Sequence, residues 1–179
     1  MRPKSDIKPT RANQMFALNA FKGDLAQHFA DLGIVLDFSN CTMTQNIFAN
    51  AYYITRLGII DFSKSTTSTG GGWFQNMKAL ETIDKLILSE NTYLNKVEFN
   101  ACANLKNITI EGSIGKTISF KDCSLLTIGA ADETTYTVQS IIDALITITD
   151  GNARTLTLHQ TVRNKLTPAQ ELTVTGTVE

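Results

Sequence analysis

Phenylalanines recur through the middle of the chain at a nearly fixed step: Phe48, Phe74, Phe99 and Phe120 are separated by 26, 25 and 21 residues. The apolar order behind each one repeats as well. Phe48, Ala51, Ile54 and Leu57 are answered by Phe74, Met77, Leu80 and Ile83, by Phe99, Cys102, Leu105 and Ile108, and by Phe120, Cys123 and Leu126. A step of about 20–29 residues suits units that each form one short strand and one return segment. Such a unit cannot bury its own apolar face, so neighbours must stack around a common core, with the Phe, Met/Cys and Leu positions forming ladders.

A second series supports the first. "IVLDFSN" (34–40), "IIDFSKS" (59–65) and "LILSEN" (86–91) are short apolar runs closed by polar residues and read as strands, and "NITIEG" and "TISFKD" alternate with the two-residue period of a strand. Within "TIEGSIGKTISF" (109–120), Gly115, Lys116 and Thr117 stand in the order of a phosphate-binding loop. That loop needs an earlier glycine where Ile110 stands, and a helix after Thr117 where "ISFKDC" follows, so the stretch reads as a turn between two repeats.

The ends read as caps. In "RANQMFALNAFKGDLAQHFADLG" (11–33) the spacing of Phe16, Phe21, Leu25, Phe29 and Leu32 predicts amphipathic helical segments, broken near Gly23 and stopped by Gly33. Beyond the repeats, "TVQSIIDALITI" (137–148) has helical spacing, and "GNARTLTLHQTV" (151–162) supplies a last strand with Leu156 and Leu158 on one face. "TPAQ" (167–170) has the pattern of a capping box. The expected organisation is one domain, 1–179, with an N-terminal cap over 1–33, repeats over 34–130 and a C-terminal cap over 131–179.

Composition removes several classes of function. Formal net charge is −1 and Lys and Arg are scattered singly, which gives no footprint for nucleic acid. No apolar run reaches the roughly 18 residues of a membrane span, and "MRPKSDIKPTR" has no apolar h-region of a secretion signal. Three cysteines without CxxC spacing argue against zinc and against a disulfide framework, and read as small buried thiols.

The Phe, Cys, Leu, Ile spacing, clearest in "FNACANLKNITI" (99–110), resembles the BspA-like, or Treponema pallidum-type, leucine-rich repeats of gut bacteria or their phages. The closing "IIDALITITDGNARTLTLHQTVRNKLTPAQ" (141–170) and the opening "DIKPTRANQMF" through "LGIVLDFSNCT" (6–42) are similar to the ends of the same group. The chain departs from the pattern in its irregular spacing and in the inserted "SKSTTSTGGGWF" (63–74). The resemblance implies an α/β solenoid with short parallel strands on one face, irregular turns and short helices on the other, and both ends capped. It further implies a recognition or adhesion module of a virion or bacterial surface, with a protein or glycan ligand and no catalytic residues, cofactor or metal to carry over.

Candidate contact residues follow from chemistry. Tyr52, Tyr53 and Tyr93 combine apolar area with a polar tip. Trp73 follows the Gly/Ser/Thr-rich loop and reads either as a core anchor beside Phe74 or as an exposed aromatic. Thr109 and Thr157 lie in threonine-rich strands whose hydroxyls would face outward. His28 and His159 have Leu32 and Arg163 at i+4, so neither has a helical metal partner. Asp37 and Asp61 occupy equivalent places in "LDFSN" and "IDFSK", on adjacent strands as solvent-facing like charges or as turn caps. The function these features suggest is recognition; a structural element that packs against copies of itself is the alternative, and a carboxylate or histidine hydrolase comes last.

Overall fold

A computed structural model describes residues 5–7, 15–39, 41, 46–63, 73–88, 96–112, 117–127 and 155–168. They form parallel-strand sheets with few helices, a mixed α/β arrangement. β1 (Ser5–Ile7) pairs with β3 (Ile34–Leu36). A four-stranded sheet runs β2 (Gly23–Asp24), β4 (Ile54–Asp61), β5 (Thr82–Leu88), β7 (Asn107–Gly112). A three-stranded sheet runs β6 (Lys96–Glu98), β8 (Thr117–Phe120), β9 (Thr155–Leu158). Every pairing among the described residues is parallel, and strands follow chain order within each sheet.

The spacing of the repeats sets the core. Phe16, Phe48, Phe74, Phe99 and Phe120 form one column, with centroids 5.2, 5.8, 4.9 and 4.5 Å apart and planes within 9° of parallel. Those spacings straddle the strand separation of about 4.7–4.9 Å, so ring stacking and backbone pairing share one repeat distance. A stacked pair adds roughly 0.5–1.5 kcal/mol to what burial supplies. Three residues after each phenylalanine the chain turns: the N–H of Ala51, Cys102 and Cys123 donates to the carbonyl of Phe48, Phe99 and Phe120. Ile54, Leu80, Leu105 and Leu126 form the next buried row, then Leu57, Ile83 and Ile108, then Ile60, Leu86 and Ile110.

The residue two after each of the first four phenylalanines is left-handed: Leu18, Asn50, Asn76 and Ala101 have φ of 57°, 61°, 60° and 59°. This conformation turns each N–H toward the following repeat. Leu18 donates to the Ala49 carbonyl at 3.0 Å, Asn50 to Gln75 at 2.8 Å and Asn76 to Asn100 at 2.8 Å, while Ala101 donates to the Asp122 carboxylate at 3.0 Å. Asparagine tolerates this region; leucine and alanine do so at a cost of roughly 1–2 kcal/mol.

The N-terminal segment departs from the helical expectation. Residues 15–18 form a turn instead, which makes Phe16 the first ring of the column, and the Phe16 N–H bonds the Ile47 carbonyl at 2.7 Å. Only α1 (Leu25–Leu32) is helical, started by the Asp24 carboxylate accepting from the Gln27 N–H and ended at Gly33 with φ 67°. It lies against β4, where a Cβ at Gly58 would come within 3.1 Å of the Ala26 Cβ. Asp37 and Asp61 are turn caps, each accepting the N–H two residues on, from Ser39 and Ser63, at 2.8 Å. Phe38 and Phe62 follow them and meet at 5.6 Å, yet β3 and β4 are not paired with each other: β3 pairs with β1 only.

At the other end, Leu156 and Leu158 are buried as their alternation implies, but the strand stops at Leu158. His159 Nδ1 accepts from the Thr161 N–H and starts a single helical turn, α2 (Gln160–Arg163), with Val162 buried. The expected helix over 137–148, the "EGSIGK" glycines and most of the "TPAQ" box lie outside the described residues. Strand β8 begins at Thr117, where a phosphate loop would need a helix.

Two stability measurements test this account. Phe99→Ala removes a fully buried ring with a stacked neighbour on each side, and urea unfolding is expected to show a loss of about 3–5 kcal/mol. Leu18→Asn relieves a left-handed leucine that is 74% exposed, and should raise stability by about 1 kcal/mol in the same assay.

Candidate functional site

The outer face of the four-stranded sheet is held by ions that satisfy one another. Between Ile83 and Leu86 the register of β5 against β7 slips, so Asp84 and Lys85 together oppose Thr109. The bulge turns both charges outward. Arg56 on β4 grips Asp84 through two bonds of 2.8 Å and reaches Asp24 on β2 at 3.1 Å, and Lys85 pairs with Glu111 on β7 at 2.6 Å. The two aspartates hold the Arg56 guanidinium still more firmly in its charged form, Asp84 having the larger effect. Such half-exposed pairs add little stability each, but they leave no strong field of either sign on this face.

Thr109 lies half-buried within this ionic row on β7, whereas Thr157 lies on β9 of the other sheet. The two do not share one hydroxyl-bearing face, which corrects the expectation of a single threonine surface. Trp73 is corrected more firmly. It is 1% exposed, 4.6 Å from Phe62 and edge-on to Phe74, and therefore belongs to the core. Tyr93 lies outside the described residues.

Tyr52 and Tyr53 are brought together at a corner. In "AYYI" the flanking Ala51 and Ile54 are both buried ladder positions, three apart, so the two residues between them must point outward. The corresponding places in the next repeats are Lys78 and Ala79, then Ala103 and Asn104, so the aromatic pair belongs to one repeat alone. The rings meet edge to face at 6.4 Å, and Tyr53 is 51% exposed. Lys78, from the following repeat, sets its ammonium 5.4 Å over the Tyr52 ring, and Lys22, from the preceding one, sets its own 5.1 Å over Tyr53. Below them the Asn50 Oδ1 accepts from the Tyr52 hydroxyl at 3.2 Å and from the Asn76 amide at 2.9 Å. The left-handed asparagines thus fix the corner that carries the tyrosines. Asn104 continues the row, its amide donating to the Lys78 carbonyl at 2.8 Å.

The other reactive groups have structural employment. His28 is exposed on α1 with its ring 4.9 Å from Phe21, while His159 starts α2. Among the described residues no group of three or more His, Cys, Asp or Glu side chains is placed to hold a metal ion. Cys41, Cys102 and Cys123 are unpaired by disulfides and buried. Cys102 sends its thiol to the Phe74 carbonyl at 2.9 Å, and Cys123 faces the Phe99 carbonyl at 3.7 Å, so each thiol joins one repeat to the one before. Burial pushes the Cys102 thiol up to about 12 and the Cys123 thiol higher still.

No family model matches the chain, and no curated protein or solved structure does either. The leucine-rich-repeat resemblance therefore stands on the residue pattern.

Thiolate is the reactive form of cysteine, so these thiols should be silent toward a disulfide reagent at pH 8 while the chain is folded. Labelling is expected to appear only with unfolding in denaturant; rapid modification of Cys102 or Cys123 in buffer would contradict their placement.

Proposed function

We propose that this chain is a recognition module of the leucine-rich-repeat type, its repeats stacked as an α/β solenoid with a cap at each end. Short parallel strands would form one face, and irregular turns with short helices the other. It binds a protein or a glycan at a virion or bacterial surface and carries out no catalysis. The observation that carries this reading is the corner of Tyr52 and Tyr53 with Lys22 and Lys78 over their rings. Two adjacent aromatic faces offer apolar area at small entropic cost, and two lysines beside them supply donors and positive charge. The neighbouring sheet face is self-neutralised by Arg56, Asp84, Lys85 and Glu111, which favours the corner over the sheet as the contact surface.

The alternative is a structural element that associates with its own copies, favoured by Leu18 and Ile59, which are 74% and 60% exposed. The monomer displayed against glycan and host-surface arrays separates the two. Binding that falls at least tenfold in Tyr53→Ala and in Lys22→Ala, with an unfolding midpoint close to that of the parent, supports recognition through this corner. A stable oligomer by light scattering, with no array signal, supports assembly instead.

A further inference from the structure

The pairing of the strands leaves a gap at one place. β2 accompanies β4 only as far as Arg56, and β3, which resumes the same repeat after α1, pairs on its other side with β1. Among the described residues no strand pairs with β4 on this side from Leu57 to Asp61. Beside that open edge runs a groove of about 480 Å³, walled by Leu25, Phe29 and Ala30 of α1 on one side and by Ile59 and its neighbours on the other. The volume falls in the range of about 300–1,000 Å³ common to ligand sites. No cationic side chain lines the groove; its charged residues are Asp37 and Asp61.

We propose that this groove is the docking site for an extended segment of a partner protein, apolar along its length and carrying one basic side chain. Three independent observations define that occupant. An open strand edge offers backbone donors and acceptors, which an extended peptide satisfies and a helix does not. The five residues from Leu57 to Asp61 give such a segment a run of about 16 Å. The apolar walls select its side chains, and the two carboxylates select its charge. Asp37 and Asp61 are held in place by the N–H groups of Ser39 and Ser63, so their charge is presented at fixed positions. This site is separate from the tyrosine corner and does not depend on it.

The probe is an eight-residue peptide of alternating valine and threonine with one central lysine, followed by fluorescence anisotropy against the full chain. Binding should vanish when the peptide backbone is N-methylated and fall about fivefold when its lysine is replaced by glutamate. Asp61→Asn keeps the bond to Ser63 and removes the charge, and is expected to weaken binding by about the same factor. Ala30→Trp, at an exposed helix position, fills the groove and should abolish binding; Ile59→Lys, at a position 60% exposed, sets a like charge beside the lysine and should weaken it. Tyr53→Ala should leave it unchanged. The proposal is overturned if no variant of the peptide binds, if binding ignores N-methylation, or if Ala30→Trp, folded by circular dichroism, binds as the parent does. It is equally overturned if the chain alone forms a dimer that Ala30→Trp dissolves, since the occupant is then a second copy.

Discussion

The stacked phenylalanine column is the constraint on which the other elements depend. Each ring has its main contact with a ring some 21 to 32 residues away, so no repeat completes its own core. Rings and strands advance by nearly the same distance per repeat, and neither can shift register without breaking the other. The left-handed residue two places after each ring is the backbone counterpart of the stack, because it turns the chain and hands an N–H to the next repeat in one step. The buried thiols do the same work from the side-chain direction, since a cysteine is small enough to fit beneath the ring and still reach a carbonyl of the neighbouring repeat.

Much of this was legible in the sequence because the repeat writes itself at intervals of three. Phe, then Met or Cys, then Leu or Ile can be aligned by eye, and the rows from Phe48 to Phe120 stand as that alignment requires. Phe16 escaped because its successor is 32 residues away and because its neighbours Phe21, Leu25 and Phe29 also fit a helical period. In space the aromatic stack outweighed that local preference and the helix shrank to eight residues. The last helical turn was hidden for a related reason: "LHQTV" continues the alternation of the strand, and only the cap made by His159 ends it.

The contact surface was half legible. Tyr52 and Tyr53 follow from their place between two buried ladder positions, but the lysines over them come from 31 and 26 residues away in the chain, and no local pattern announces them. Trp73 was ambiguous beside a flexible stretch and became core because Phe62 offered it a face. The gap beside β4 could not be read at all. "LDFSN" and "IDFSK" look like neighbours, and their aspartates and phenylalanines do take equivalent roles, yet the insertion of α1 between β2 and β3 parts the strands before those residues meet.

Asp122 gives the row of left-handed corners an unusual finish. Where the earlier corners hand their N–H to a main-chain oxygen, Ala101 hands its own to a carboxylate, an acceptor that depends on residue identity and not on chain geometry. A main-chain acceptor can be copied indefinitely by duplicating the segment that contains it. A side-chain acceptor works as punctuation, so lengthening this array by tandem duplication downstream of Asp122 would require that aspartate to be rewritten first.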